Sequence, residues 1–192
     1  MGESGLLVLT IGHSTRPIGL FLDLLESHHI EQIADVRTIP RSRHNPQYGI
    51  EVLPGTLASR GIEYVHLPGL GGLRRPRRDS PNLGWRNASF RGFADYMGDP
   101  RFDEEIAVLI ERAGEKPTAL LCAEAVPWRC HRSLIADALV ARGVRVEHIL
   151  GPGRREAHSL TPFARVEGTR ITYPPTSPEP CGGDPTVPEG SG

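Results

Sequence analysis

The sequence has few cysteines and no long apolar run. Three of its 192 residues are cysteine, and one of them, Cys181, lies in a polar C-terminal stretch. This small number excludes the disulfide framework of a small secreted domain, and a reducing compartment would leave Cys122 and Cys130 as free thiols. The apolar stretch at residues 6–11 is too short for a signal peptide or a membrane span. We therefore expect a cytoplasmic protein that does not contact a membrane.

The net charge is close to zero, and lysine is almost absent. The formal net charge is −1, and Lys116 is the one lysine among 22 basic residues. Because the overall charge does not attract nucleic acid, a nucleic-acid partner would need a local basic patch. One basic stretch is present, with Trp85 and Phe90 interleaved, and its arginines are Arg74, Arg75, Arg77, Arg78, Arg86 and Arg91. Guanidinium groups beside aromatic rings suit phosphates and stacked bases, although a solvated loop in an arginine-rich chain is the simpler interpretation.

The order of apolar patterns predicts an α/β fold. Hydrophobic residues make up 38% of the chain and charged residues 23%, which is ordinary for a globular protein with a buried core. Short apolar runs, typical of buried parallel strands, alternate with helical patterns. The predicted strands are residues 6–11, 30–36, 62–67, 118–122 and 144–150, and the predicted helices begin near residues 17, 53, 89, 102 and 131. We expect one domain over residues 1–173, a mostly parallel sheet with helices on both faces, and a disordered Pro/Gly-rich tail at 174–192.

Polar side chains follow several of the predicted strands. Since the carboxyl ends of parallel strands meet at one edge of a sheet, we expect these side chains to converge there and to bind a ligand. Asp35 could orient a histidine, and His13 or His131 could act as a base. A structural salt bridge between Asp35 and Arg37 and a helix cap at Ser14 are the alternative interpretations.

The segment from residue 120 to 132 carries the most reactive side chains. Cys122 ends a predicted buried strand, and Cys130 and His131 stand at the start of the next helix. Free amides and the positive dipole end of that helix would stabilise a thiolate or a bound anion. A cysteine in such surroundings has a lowered pKa and acts as a nucleophile. The other interpretation of Cys122, a core residue at the end of an apolar run, stays open.

The same side chains could bind a transition metal, zinc or iron. Cys122, Cys130 and His131 offer sulfur and nitrogen ligands, with Glu124 nearby in the sequence. The spacing Cys-x7-Cys-His matches none of the Cys-x2-Cys zinc patterns. The sequence therefore leaves covalent thiol chemistry and metal-assisted hydrolysis or oxidation as alternatives.

Several separate motifs, in order along the chain, resemble one known family. They are Thr10-Ile-Gly-His-Ser14, Ala34-Asp-Val-Arg37 with Pro40 and Ser42, Leu67-Pro-Gly-Leu-Gly-Gly72, and Leu121-Cys-Ala-Glu124 leading to Cys130-His-Arg132. From about residue 8 to residue 150 the chain resembles the family catalogued as domain of unknown function 488. The resemblance implies a compact α/β fold and a site built from the motif residues, and it brings no settled reaction with it.

A looser similarity is to the rhodanese order of elements, in which a cysteine after a buried strand carries sulfur. Asp35-Val36-Arg37 after one strand and Cys122 after another are similar to that order. The loop after Cys122 departs from it, because Glu124, Pro127 and Trp128 stand where a rhodanese has a short glycine-containing cradle. A rhodanese-like sulfurtransferase is therefore an alternative that rests on fold analogy alone.

These observations predict an enzyme that acts on an anionic small molecule, a nucleotide or a nucleic-acid base. The catalytic candidates are Cys122, Glu124, Cys130, His131, His13 and Asp35. The substrate-binding candidates are Ser14, Arg37, Ser42, Gly71, Gly72 and Arg132, and the metal-ligand candidates are Cys122, Cys130 and His131. Glycines in this set would let backbone amides approach an anion closely. A noncatalytic module that binds nucleotide or nucleic acid through the arginine-rich stretch is the alternative from another class.

Overall fold

A six-stranded sheet forms the centre of the protein, of which the computed structural model describes residues 5–175. Its strands in chain order are β1 (Leu7–Gly12), β2 (Gln32–Asp35), β3 (Glu63–His66), β4 (Thr118–Cys122), β5 (Arg145–Gly151) and β6 (Arg154–Ala157). Their order in the sheet is β3-β2-β4-β1-β5-β6; the first five are parallel, and β6 pairs antiparallel with β5. The predicted α/β fold with a mostly parallel sheet is confirmed.

Helices pack on both faces of this sheet. They are α1 (Ile18–Ser27), α2 (Leu53–Ala58), α3 (Ala88–Tyr96), α4 (Pro100–Glu115) and α5 (Arg132–Val140). Ala119 and Leu121 of β4 belong to the core under α1 and α2, whereas Leu120 belongs to the core under α3, α4 and α5. Because successive side chains of a strand point to opposite faces, a strand buried on both faces reads as a continuous apolar run.

The chain after β5 departs from the prediction. The antiparallel strand β6 and the hairpin of β7 (Arg165–Glu167) and β8 (Arg170–Thr172) were not predicted. Every residue of β6 and β7 is exposed, so these strands lack the apolar alternation that reveals a half-buried strand in a sequence.

Two further expectations concern the membrane and the C-terminal tail. Among residues 5–175, no helix combines the length and the apolar character that crossing a bilayer requires. The predicted tail at residues 174–192 lies outside the described residues except for Pro174 and Pro175. Its disorder therefore stays a prediction.

The neighbouring strands β1 and β4 bring two motif segments side by side. Gly12 pairs with Cys122 at the carboxyl ends of these strands. Beyond the strands, the N–H of His13 donates to the Cys122 carbonyl and the N–H of Ser14 to the Ala123 carbonyl, each at 2.9 Å. The loop after β4 is thereby fixed alongside the loop after β1.

Candidate active site

A cavity of about 660 Å³ opens at the carboxyl edge of the sheet. Loops that follow four parallel strands line it, together with the first turn of α3. Nine of the twelve predicted site residues are in this lining: His13, Ser14, Arg37, Ser42, Gly72, Cys122, Glu124, Cys130 and His131. The parallel topology thus gathers residues that are far apart in the sequence.

Two free thiols in the lining of this cavity lie in contact. The Sγ atoms of Cys122 and Cys130 are 2.7 Å apart, and the two side chains are 6% and 5% exposed. Cys122 is the last residue of β4, and Cys130 precedes α5 in an extended conformation. The loop at residues 123–129 therefore brings the end of β4 close to the residues that precede α5.

His131 stands beside the two sulfur atoms. Its Nε2 lies 3.3 Å from the Val36 carbonyl, and its Nδ1 lies 3.7 Å from the Cys130 Sγ. Because a carbonyl only accepts hydrogen bonds, Nε2 carries a proton, and Nδ1 faces the Cys130 thiol. The edge contact with the Phe93 ring, 5.1 Å between centroids, fixes the imidazole further.

The two thiols differ in acidity. The hydrogen bond with Cys130 lowers the pKa of Cys122 well below that of an ordinary cysteine; His131 and the Glu124 backbone N–H add to this effect, and burial opposes it. The same hydrogen bond, together with burial, raises the pKa of Cys130. The directions of these shifts favour the thiolate at Cys122 over the thiolate at Cys130, and the thiolate is the nucleophilic form of a cysteine.

His13 is held as a neutral imidazole. Arg37 Nη1, which can only donate, lies 3.2 Å from His13 Nε2, so this nitrogen is the acceptor, and His13 Nδ1–H donates to the Ser14 carbonyl at 2.8 Å. The ring also stacks on Tyr48 at 4.2 Å between centroids. Burial lowers the pKa of His13, and the neighbouring Arg37 lowers it too. Both ring nitrogens are thus occupied, which leaves neither free to act as a base.

Asp35 lies outside the cavity lining, in a buried ion pair. Its carboxylate is 0% exposed and accepts from Arg37 Nε at 2.8 Å, from Arg37 Nη2 at 2.5 Å and from the Tyr64 hydroxyl at 2.7 Å. The two bonds from Arg37 hold its guanidinium, and the bond from Tyr64 holds the carboxylate in place. The geometry therefore favours the structural interpretation of Asp35, in which it orients Arg37.

Arg132 and Gly71 also lie outside the lining. Arg132 is 1% exposed, and its guanidinium donates to the carbonyls of Glu124 and Ala125, the latter at 2.8 Å. A Cβ on Gly71 would come within 2.8 Å of the Thr38 Cα, so this glycine permits a close backbone approach between two loops. Both residues fix the positions of loops around the cavity, and neither forms part of its surface.

Ser14 is not a helix cap. The residue before α1 is Pro17, and no side chain caps the first turn of that helix. Ser14 instead lines the cavity, and its φ angle of 49° is in the left-handed region, which costs a non-glycine residue free energy.

Part of the lining was not in the predicted set. These residues are Thr15, Thr38, Ile39, Arg41, Asn45, Leu73, Ser89, Phe90, Ala123 and Arg129. Arg41 and Arg129 belong to loops that the sequence assigns to this edge, but arginine is so frequent in the chain that a single one carries little signal. Among residues 5–175, the Arg129 side chain has no carboxylate within salt-bridge distance.

The family model "Domain of unknown function DUF488" matches residues 17–139, which is more than half of the chain. The chain belongs to the DUF488 family. The matched range includes Arg37, Cys122, Cys130 and His131, whereas His13 precedes it. No curated protein and no solved structure shows significant similarity to the chain, so the rhodanese-like order of elements is not confirmed.

The arginine-rich stretch of this DUF488 protein is partly engaged in internal contacts. The Arg74 guanidinium lies 3.7 Å above the Tyr96 ring and donates to the Gly69 carbonyl at 2.8 Å. The Trp85 ring packs against Phe163 at 5.0 Å between centroids rather than standing free as a stacking platform. These contacts give little support to the noncatalytic nucleic-acid module.

The predicted metal ligands cluster, but their spacing suits zinc poorly. The ligand atoms of Cys122, Cys130 and His131 all lie within 4.8 Å of one another. Two thiolates on one tetrahedral zinc ion stand about 3.8 Å apart, because each zinc–sulfur bond is about 2.3 Å long. The sulfur atoms are 2.7 Å apart here, so they would have to separate by about 1 Å to hold zinc.

Proposed function

We propose that this chain is an enzyme that binds an anionic small molecule in the cavity and reacts with it through the Cys122 thiolate. One observation carries the proposal: a thiol with a lowered pKa lies in contact with a second thiol and an imidazole inside a cavity lined by arginines. A perturbed nucleophile in a concave site is the usual arrangement of a catalytic centre.

The charges of the lining favour an anionic ligand. The lining contains three arginines, Arg37, Arg41 and Arg129, and one acidic residue, Glu124; Asp35 already pairs with Arg37 from outside the lining. Arg41 is 3.7 Å from Glu51, but both side chains are about three-quarters exposed, so this pair neutralises little charge for a bound ligand. Guanidinium groups in a partly enclosed site bind carboxylates and phosphates well.

The size and the walls of the cavity fit a molecule as large as a nucleotide. A volume of about 660 Å³ is within the usual range of small-molecule sites. The lining includes the apolar side chains of Phe90, Ile39 and Leu73 as well as the hydroxyl groups of Ser14 and Ser42. An anionic compound with an aromatic or other apolar part would use both kinds of surface.

Iodoacetate and iodoacetamide make a matched pair of probes, because both alkylate thiolates and only iodoacetate is an anion. In a Cys181→Ser background, we expect Cys122 to be alkylated well below pH 8.5, the approximate pKa of free cysteine. We also expect the rate ratio of iodoacetate to iodoacetamide to exceed that of 2-mercaptoethanol. Arg129→Gln should lower this ratio about threefold, as removal of one nearby charge in a partly solvated site does.

The exposed Arg60, outside the lining, provides the control. Arg60→Gln should leave the ratio unchanged, and Cys122→Ser should abolish the fast alkylation. Alkylation that begins only near pH 8.5, with no preference for the anion, would show that the cavity is not a thiol-dependent active site.

Metal-assisted hydrolysis or oxidation is a second candidate, because three ligand atoms cluster at the same place. Bound zinc or iron would supply a Lewis acid, with Cys122, Cys130 and His131 as its ligands. Elemental analysis of protein purified without chelator separates the candidates. One zinc or iron ion per chain, lost in Cys130→Ser, would replace thiol chemistry by metal-assisted chemistry, whereas a content far below one ion per chain supports the thiolate.

A further inference from the structure

We infer that Cys122 and Cys130 form a redox-active dithiol that reduces an anionic disulfide, and this inference rests on the proposed function. The two sulfur atoms, 2.7 Å apart, are already closer than two unbonded sulfurs usually stand. Their backbones are fixed: Cys122 pairs with Gly12 in the sheet, and the Cys130 N–H donates to the Pro127 carbonyl at 3.0 Å. Since a disulfide bond is about 2.0 Å long, a shift of about 0.7 Å would join them.

The surroundings of Cys122 favour attack by a thiol over attack by water. Hydrolysis of a covalent intermediate needs a base that activates water. Glu124 is exposed and its Oε1 accepts the Val126 N–H at 3.2 Å, both ring nitrogens of His13 are occupied, and His131 Nδ1 faces the Cys130 thiol at 3.7 Å. The Cys130 thiol, by contrast, already touches the Cys122 sulfur, so an adduct on Cys122 meets a thiol first.

The reaction balances with a disulfide, R–S–S–R, as the oxidant. The Cys122 thiolate attacks one sulfur, forms a Cys122–S–S–R bond and releases the first RS⁻. Cys130 then gives its proton to His131 Nδ1 and attacks the Cys122 sulfur, which breaks the bond to R and releases the second RS⁻. Two electrons pass from the dithiol to the substrate, and the two thiolates take up one proton from His131 and one from solvent, to which Cys122 lost its own when it ionised. A small dithiol reductant such as dithiothreitol regenerates the enzyme.

The cavity selects a disulfide with negative charge over a small neutral oxidant. Hydrogen peroxide would occupy little of about 660 Å³ and would gain nothing from Arg41 and Arg129. An anionic disulfide with an apolar body could contact both these arginines and the Phe90 ring, which line the same cavity. We therefore assign the anionic disulfide as the substrate class.

The test uses 5,5′-dithiobis(2-nitrobenzoate), an aromatic disulfide with two carboxylates, on the full chain carrying Cys181→Ser. We expect two equivalents of nitrothiobenzoate to be released quickly per chain and the protein mass to fall by two hydrogens, with no retained adduct. Cys130→Ser should release one equivalent and keep the adduct on Cys122. Cys122→Ser should react slower by about tenfold or more, because burial raises the pKa of the remaining Cys130 thiol and leaves its side chain only 5% exposed.

The charge preference is tested with the neutral 2,2′-dithiodipyridine. Arg129→Gln should lower the ratio of the anionic to the neutral rate about threefold, whereas Arg60→Gln, outside the cavity lining, should leave this ratio unchanged. A faster oxidation by hydrogen peroxide than by the anionic disulfide at equal concentration would overturn the substrate class.

The outcomes separate this inference from the proposed function. A wild-type chain that is alkylated quickly by iodoacetate yet retains one nitrothiobenzoate adduct would refute the dithiol and leave the thiolate enzyme intact. A chain that reacts slowly with both reagents would refute the proposed function itself.

Discussion

Gly72 lies directly against the imidazole of His131. A Cβ on residue 72 would come within 2.6 Å of His131 Nδ1, closer than the 3.0 Å below which such contacts are essentially never seen. The ring has little room to retreat, because Phe93 packs against it and the Val36 carbonyl accepts from its Nε2. Because glycine has no side chain, position 72 leaves room for the imidazole to lie beside the thiols.

We expect Gly72→Ala to displace His131 and to raise the pKa of Cys122, which His131 lowers. A rise of about one pKa unit would move the pH profile of alkylation by iodoacetamide upward by about one pH unit, and would reduce the rate about tenfold at pH values below the pKa. Gly55→Ala is the matched control, since a Cβ there meets no atom within 4 Å. An unchanged alkylation rate in Gly72→Ala would show that His131 does not stabilise the thiolate.

Gly12 allows the loop after β4 to cross close to β1. Its Cβ would come within 1.9 Å of the Glu124 carbonyl oxygen and 2.6 Å of the carbonyl carbon, both of them backbone atoms. We expect Gly12→Ala to lower the free energy of unfolding by about 3 kcal/mol, the upper range for overpacking a buried site. Urea denaturation measures the change.

Gly19→Ala in α1 is the control of opposite sign. A Cβ on Gly19 meets nothing within 4 Å, and alanine in a helix is more stable than glycine by about 0.5–1 kcal/mol. Equal stability of Gly12→Ala and the wild type would mean that the loop moves away freely, and that its position depends little on β1.

Much of the site could be predicted because it follows from topology. Once the apolar runs are recognised as parallel strands, every strand end lies at one edge, and the motifs that follow β1, β2 and β4 must converge. Cys122, Cys130, His131, His13 and Arg37 were expected there for this reason, and they line the cavity.

What could not be predicted depends on the direction of single side chains. A strand buried on both faces gives no alternation that tells which face Asp35 occupies, so its pairing with Arg37 below the cavity stayed one of two alternatives. Arg129 and Arg132 are three residues apart around a helix start; the first lines the cavity and the second is buried behind the loop. The direction of each side chain depends on how the chain turns into α5, and the sequence does not specify that turn.

Burial distinguishes the Asp35–Arg37 pair from an otherwise similar pair at the surface. Asp99 and Arg101 have the same spacing and the same two-pronged hydrogen bonding, at 3.0 and 2.6 Å. The Asp35 and Arg37 side chains are 0% and 8% exposed, whereas those of Asp99 and Arg101 are 30% and 73% exposed. The same ion-pair geometry therefore occurs once in a buried environment and once in a solvent-exposed one.

We expect Asp35→Asn to lower the free energy of unfolding by about 3–5 kcal/mol, because it leaves the Arg37 charge buried without its partner. Asp99→Asn should have a far smaller effect, since water solvates that arginine and asparagine still caps α4. Thermal and urea unfolding of both variants measure the difference. Similar losses in the two variants would contradict the structural role that the geometry gives to Asp35.

A chain of hydrogen bonds links β1 to α5 through two histidines. Asp137 accepts from His158 Nε2 at 2.8 Å, His158 Nδ1 accepts from His148 Nε2 at 3.0 Å, and His148 Nδ1 accepts from the Thr10 hydroxyl at 2.7 Å. Every donor and acceptor in this chain is matched when both imidazoles are neutral. The Tyr173 hydroxyl donates to the second oxygen of Asp137 at 2.8 Å, which ties the C-terminal hairpin to the same network.

This network predicts that the protein loses stability in mild acid. Burial lowers the pKa of His148 to about 4, and His158 and Arg132 add to the shift. Because the folded pKa is below the unfolded value of about 6.5, the stabilisation is fully present above pH 6.5 and is lost as the pH falls toward 4. With about 1.4 kcal/mol per unit and a reduction for solvent screening, we expect a loss of about 2 kcal/mol.

Urea denaturation of the wild type and of His148→Gln, at pH 7.5 and at a pH near 4.5, isolates this contribution. The variant has no group that titrates at this position, so its stability should fall by about 2 kcal/mol less than that of the wild type over the same interval. His44→Gln, which changes an exposed histidine, should keep the wild-type pH dependence. If His148→Gln and the wild type lost stability equally, acid would act elsewhere, and the neutral imidazole chain would not be what holds β1, α5 and the C-terminal hairpin together.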